Sequence, residues 1–340
     1  TAATITHTGS GIESFSTSFA GTMADVLAAT ATRDLGGGNH GATSELSAVA
    51  SMVVTVNSTG DAADTTPGDH RCDSGGTNAD GDPECTLRAA IAEANASGIV
   101  TEIRFAIPAA DTRYVASPES FVIQPGSLLP TISTAMTIDG STQSEYASHN
   151  RPVIEIDGSA VSAGEENGLY LTGGGTTIRS LAINRFGDDG IDIEFNGGNV
   201  LQGNHVGTDV TGTVPRPNAW GINIKTAGNT VGGTTAADRN VVSGNTNNGL
   251  YLYRAAATGN VVQGNHIGTN AVGDAAVPNG SAGILIFDSF SASQIGGTGP
   301  GEGNVIAGNG GHGIEITSEG NDSLVIAGNH IGVNAAGTAM

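Results

Sequence analysis

The second half of the chain repeats itself. After residue 166 one block reads GLYL (168–171), GIDI (190–193), GINI (221–224), GLYL (249–252), GILI (283–286) and GIEI (313–316). A second reads NVLQGNHVGTD (199–209), NVVQGNHIGTN (260–270) and LVIAGNHIGVN (324–334), and a third reads RNVVSGN (239–245) and GNVIAGN (303–309). TVGGT (230–234) pairs with IGGTG (295–299). The GNH tripeptides begin at 203, 264 and 328, which sets a long repeat of 61 to 64 residues. Two G-[IL]-x-[IL] blocks fall within each long repeat, so it comprises two turns of about 30 residues, the mark of a solenoid.

Each turn holds three strand-sized blocks, for example GIDI, NVLQG and NHVGT, with Gly and Asn between them. Apolar residues spaced by two, with this much glycine, are hostile to helices. The pattern predicts an all-β fold, a right-handed parallel β-helix with three short strands per turn. Inward apolar residues stack on their equivalents one turn away, at a strand spacing of about 4.8 Å. Gly and Asn tolerate the positive φ that sharp corners need. Of 26 asparagines, 21 lie after residue 166, as expected for amide ladders running from turn to turn. Ten turns or so would give a rod of roughly 45 to 50 Å.

Charge narrows the partners. The chain of 340 residues carries 12 Lys+Arg against 33 Asp+Glu, a net −21, and its one lysine is Lys225. A duplex nucleic-acid binder needs a basic surface that displaces counterions, and an anionic membrane surface makes the same demand. No apolar run reaches the roughly 18 residues of a membrane-spanning helix.

The first half divides in two. Residues 1–50 are rich in Ala, Thr, Ser and Gly and read as an arm or linker, with a short helix expected over MADVLAATA (23–31) and a loop over 34–43. Residues 51–100 form an N-terminal cap, and 101–340 the β-helix. MVVTVN (52–57) reads as a strand. TLRAAIAEANASG (86–98) reads as a helix, with Thr86 as N-cap, Gly98 just past its end, and Leu87, Ala90, Ile91 and Ala94 on one face. Short apolar blocks recur from EIRFAI (102–107) through SFVI, MTIDG and VIEIDG (153–158). Cys72 and Cys85 flank the loop DSGGTNADGDPE. Two cysteines cannot build a four-ligand zinc site. A disulfide is the preferred reading and implies an oxidising compartment, the other reading being two reduced thiols.

The segment CTLRAAIAEAN (85–95), preceded by VVTVNSTGDAADTTPGD (53–69), resembles the CSLREA-type domain of bacterial surface and secreted proteins, whose motif reads C-[ST]-L-R-E-A-I followed by A-N. Ala89 stands where that motif commonly has Glu. The GN-x-[IV]-GT and GGT-x-x-x-x-N-V-[IV] repeats look like those of parallel β-helix proteins of the pectin-lyase-like fold. Together the resemblance spans residues 52–340. It implies export to the cell surface or medium and a helix over 86–97 that plugs the N-terminal mouth of the solenoid. It implies no particular reaction.

Four features carry possible chemistry. Asp73, Asn78, Asp80, Asp82 and Glu84 supply oxygens that suit calcium, or else form a solvated acidic loop. In RFGDDGIDIEF (185–195), Asp188 and Asp189 precede a strand on which Asp192 and Glu194 are expected to face solvent. Paired carboxylates are what glycoside hydrolysis uses. This segment resembles the aspartate pair of polygalacturonases, GGHGIEI (310–316) resembles their Gly-His-Gly block, and INIKT (222–226) echoes their Arg-Ile-Lys block. However, His312 falls four turns after Asp189, roughly 19 Å along the axis, and the Lys block precedes the His block. The alternative role for the pair is turn capping. For a β-eliminating lyase, Lys225 and Arg254 are the candidate bases. His205, His266 and His330 recur two turns apart, roughly 10 Å, too far for a shared metal and suited to a structural role. Last, residues 324–340 stop inside a turn with no polar cap, so either the native chain continues or the open end docks on another copy.

These features predict a secreted or cell-surface structural or adhesive β-helix module, its partners being further copies, end to end, or surface glycans. The alternative is a polysaccharide-active hydrolase or lyase with a surface groove. Trp220, Tyr251, Tyr253, Phe287 and Phe290 are the aromatic residues that such a glycan would meet.

Overall fold

The computed structural model describes residues 29–31, 44–46, 51–162, 166–254, 256–288, 292–317 and 323–339. From Ser51 onward the chain winds into a parallel β-helix with three sheets. The first sheet holds nine strands, from Ser51–Val56 and Val100–Phe105 through Thr177–Arg179 and Val261–Gln263 to Val325–Ala327, every neighbouring pair parallel. The second also holds nine among the described residues, eight from Glu119–Ile123 through His205–Val206 to His330–Ile331 and, antiparallel at its start, Tyr114–Ala116. The third has six: Leu169–Leu171, Asp189–Ile193, Trp220–Ile224, Leu250–Tyr253, Ile284–Phe287 and Ile314–Ile316.

The registers turn the sequence repeats into columns. Ile178, Leu201, Val231, Val262, Ile295 and Ile326 align along the first sheet. Ile183, Val206, Val242, Ile267, Ile306 and Ile331 align along the second. The two Ile/Leu positions of each G-[IL]-x-[IL] block make two more columns along the third. Except in the last turns these side chains are buried, so one continuous apolar core runs along the axis.

Asparagines close the corners. One ladder runs Asn204, Asn240, Asn265, Asn304 and Asn329, each Nδ2 donating to the next Oδ1 at 2.8–3.1 Å. A second runs Asn218, Asn245, Asn279 and Asn309. A third joins Asn199, Asn229 and Asn260, where Ser293 Oγ takes over as acceptor for the Asn260 backbone N–H. In the first ladder each Oδ1 also accepts the backbone N–H of the preceding asparagine, and each Nδ2 gives its other hydrogen to a backbone carbonyl. The buried amides are therefore fully paired, as a dry corner requires. The glycine before the asparagine makes the corner possible. At Gly264 φ is +66° and a Cβ would stand 2.1 Å from the Gly233 carbonyl oxygen.

The rod is shorter than ten turns. Early loops are long: the register partners Glu102, Thr137 and Thr177 lie 35 and 40 residues apart. Nine strands spaced by about 4.8 Å span roughly 38 Å. The helix Leu87–Ser97 packs against the first two strands, Ser51–Val56 and Val100–Phe105, and buries Leu87, Ala90, Ile91 and Ala94 in the core cluster with Met52, Val54 and Val56. Thr86 caps it by accepting the Ala89 N–H at 3.0 Å, and Gly98 ends it at φ +68°. Cys72 and Cys85 are disulfide-bonded. The helix expected over 23–31 falls mostly outside the described residues. Its last three, Ala29–Ala31, are instead a strand antiparallel to Ser44–Leu46. The loop at 34–43 also lies outside them.

Candidate functional site

The third sheet turns its variable positions outward. The x residues of successive G-[IL]-x-[IL] blocks, Tyr170, Asp192, Asn223, Tyr251, Leu285 and Glu315, stand in register as one row. Two residues further on, Glu194, Lys225, Tyr253 and Phe287 continue the face. Trp220 is the register partner of Asp189.

At one end of this face the polar side chains form a connected cluster. Asp189 Oδ2 accepts from Asn223 Nδ2 at 3.0 Å. Asp192 Oδ2 accepts from Lys225 Nζ at 2.9 Å and from Asn167 Nδ2 at 3.2 Å. Glu194 receives Lys225 at 3.6 Å, Arg254 at 2.9 Å and the Tyr170 hydroxyl at 3.0 Å. Asp188, half-buried, adds its charge to the field felt by Asp189 and Asp192. Asp189 and Asp192 are each 3% exposed and Asn223 is 8% exposed. Asp192 was expected in solvent. Its side chain does point away from the core, but Tyr170 and Asn223 in the adjoining strands and the Lys225 ammonium close over it. Alternation along one strand cannot show what the neighbouring turns contribute.

Electrostatics follow from burial. Burial, reinforced by the Asp192 carboxylate, pushes Asp189 up to about 7 against the pull of the Asn223 amide. Asp192 is also raised by burial, with Lys225 opposing. Burial alone would raise Glu194, but Tyr170, Lys225 and Arg254 outweigh it and hold the group below its usual range. Lys225, despite burial, is raised by Asp192 and Glu194. So the lysine has an acidic cluster beside it, because two strands bring together residues about thirty positions apart.

Beside the cluster lies an aromatic strip. Trp220 and Tyr251 stack with centroids 5.3 Å apart, Tyr251 and Tyr253 stack at 5.3 Å, and Phe287 meets Tyr253 at 5.6 Å. The three tyrosine and tryptophan rings are half-buried and Phe287 is 45% exposed. Phe290 lies outside the described residues. Three residues that directly follow the outward row, Phe195, Arg254 and Asp288, hold positive φ of 68°, 81° and 72°, strain concentrated along this edge. Nothing in a single block marks Asn167 or Asn223 as site residues. Aligning the variable x positions across turns would have found Asn223.

The other candidates fall elsewhere. His312, exposed, lies just before Ile314–Ile316, the strand of the same sheet four turns from that of Asp189. In the disulfide loop, both Glu84 oxygens accept hydroxyl hydrogens, from Ser58 and Ser74 at 2.6 Å. Asn78 Oδ1 accepts the Asp80 and Asp82 N–H groups, and Asp73 Oδ1 accepts that of Gly75. Among the described residues no three His, Cys, Asp or Glu side chains come together to hold a metal. His205, His266 and His330 each direct Nδ1 at the carbonyl four residues on, at 3.2–3.4 Å, tying down the loops at 209, 270 and 334. Comparison of the chain with models of protein families, with curated proteins and with solved structures finds no match.

Proposed function

We propose that this chain is a secreted or cell-surface β-helix module that holds a glycan chain along the outer face of its third sheet. The observation that carries this reading is the strip Trp220–Tyr251–Tyr253–Phe287 beside a hydrogen-bonding cluster on a flat parallel sheet. Sugar rings offer an apolar face to stack on aromatic rings and a rim of hydroxyls for polar groups. The disulfide fits an oxidising setting, and no helix among the described residues is long and apolar enough to cross a membrane. Contacts between copies, end to end, belong to the same reading.

A second reading, hydrolysis or elimination of the bound glycan, is favoured by one observation. Asp189 sits near 7 beside Asp192 and Lys225, which suits a group that exchanges protons at neutral pH. The test is a panel of acidic and neutral polysaccharides, scored for binding by affinity electrophoresis and for reducing-end release, with calcium and with chelator. Retardation lost in Trp220→Ala and Tyr251→Ala supports the binding face; a panel with no retardation overturns it. Release lost in Asp189→Asn would make the chain a hydrolase. Unsaturated products lost with chelator would make it a lyase.

A further inference from the structure

Within the carboxylate cluster three oxygens, Asp189 Oδ1, Asp192 Oδ1 and Asn223 Oδ1, are buried and receive no hydrogen bond from the protein. Every orphaned atom there is an acceptor; none is a donor. Buried acceptors left in this state are costly and mark a place where something else supplies the hydrogens. Charge points the same way. Among the described residues the carboxylates of Asp189, Asp192 and Glu194 face two cations, Lys225 and Arg254, so these three, when ionised, are one positive charge short. The adjoining rings favour cations on their faces, and the strip already holds one: the Arg254 guanidinium lies 5.8 Å from the Tyr253 ring centre.

A glycan that completes this set brings N–H donors and positive charge on a ring that stacks. A uronate brings further acceptors and negative charge to a chain that already carries −21. An N-acetylated sugar brings one amide donor and no charge. We propose that the third-sheet face selects a glycan bearing free amino groups, with an ammonium directed at Asp189, Asp192 and Asn223. This rests on the glycan-binding reading above and narrows its substrate class. Because the three oxygens are covered, binding moves the side chains around them. Trp220, the chain's single tryptophan and the register partner of Asp189, reports that movement.

The test titrates the whole chain at neutral pH with oligomers of glucosamine, of N-acetylglucosamine and of galacturonic acid, reading Trp220 emission and calorimetric heat. The amine oligomer is expected to bind about tenfold tighter than its acetylated counterpart. Added salt should narrow that gap, as should Asp189→Asn, a replacement of the same shape that removes the charge. The salt series needs no variant, so a misfolded Asp189→Asn leaves the proposal testable. Equal or tighter binding of the acetylated or galacturonate oligomer overturns the amine preference and leaves the glycan reading standing. Binding of none of the three, while other panel glycans bind, overturns the amine preference alone. Binding of no glycan at all removes both.

Discussion

Asn265 makes four side-chain hydrogen bonds, to turns on both sides of its own: two accepted from Asn240, one given to Val231 and one given to Asn304. Asn265→Ala strands these partners in a dry corner, which is expected to cost about 3 kcal/mol or more. Asn329, half-buried in the last turn, has water within reach, and Asn329→Ala is expected to cost about 1 kcal/mol. Chemical denaturation of the two variants compares them; equal losses would contradict the ladder account. Titration makes a second prediction at this scale. Burial lowers His205 and His266 to about 4, so in the window between that value and the ordinary 6.5 the unfolded chain binds more protons and stability falls as pH falls. Asp189 acts oppositely. Its folded value, about 7, lies above the unfolded one, so its contribution is present in acid and is lost as pH rises through about 7. Asp192, Asn223, Asp188 and Lys225 act on it directly, and Tyr251 feels its charge. Asp189→Asn is therefore expected to match the parent near pH 4 and to exceed it in stability above pH 7, as thermal unfolding across pH would show. A variant less stable at pH 8 would argue that the ionised Asp189 is well compensated.

At the scale of elements, the helix Leu87–Ser97 and the segment before it pack on the first strands of the rod. Thr86 joins them: its hydroxyl accepts from Ala89 N–H and donates to the Ala62 carbonyl. Thr86→Ala is expected to cost about 1 to 2 kcal/mol, read as a lowered unfolding midpoint. Reduction of the disulfide is expected to loosen the 72–85 loop without unwinding the strands, because Glu84 still holds Ser58 and Ser74 and Glu93 still accepts the Gly68 and His70 N–H groups. Proteolysis confined to that loop after reduction would bear this out. These elements were legible because their signals are local: a Thr before an apolar periodic run, a Gly after it, and Gly-Asn at fixed spacing. The columns of Ile and Val were legible for the same reason, since repetition supplies the register. The cluster around Asp189 was not. Its members come from four turns and are named by stacking, and whether Asp192 meets water depends on Tyr170 and Lys225, tens of residues away. Likewise Trp220, Tyr251 and Tyr253 could be picked out one by one, but not their contact.

At the scale of the whole molecule, each turn touches only its neighbours, so opening is expected to start at an end and spread. The first strands have a helix packed on them, whereas the strands Val325–Ala327 and His330–Ile331 are exposed or half-buried. Amide hydrogen exchange should therefore be slowest in the central turns and fastest beyond residue 323. If copies meet end to end, protection of the terminal strands should rise with protein concentration while the middle stays constant; a flat response would remove self-contact from the functional reading. The ladders also give the rod a direction. In all three, the amide N–H of one turn points toward the turn that follows it in the chain, and the acceptor is always the later residue. A chain threading through a pore with its N-terminus leading thus brings out each turn with its corner donors open, and the next stretch to emerge carries the oxygens that close them. For a chain exported in that way, winding would keep pace with passage through the pore, and each completed turn would act as a pawl against slipping back.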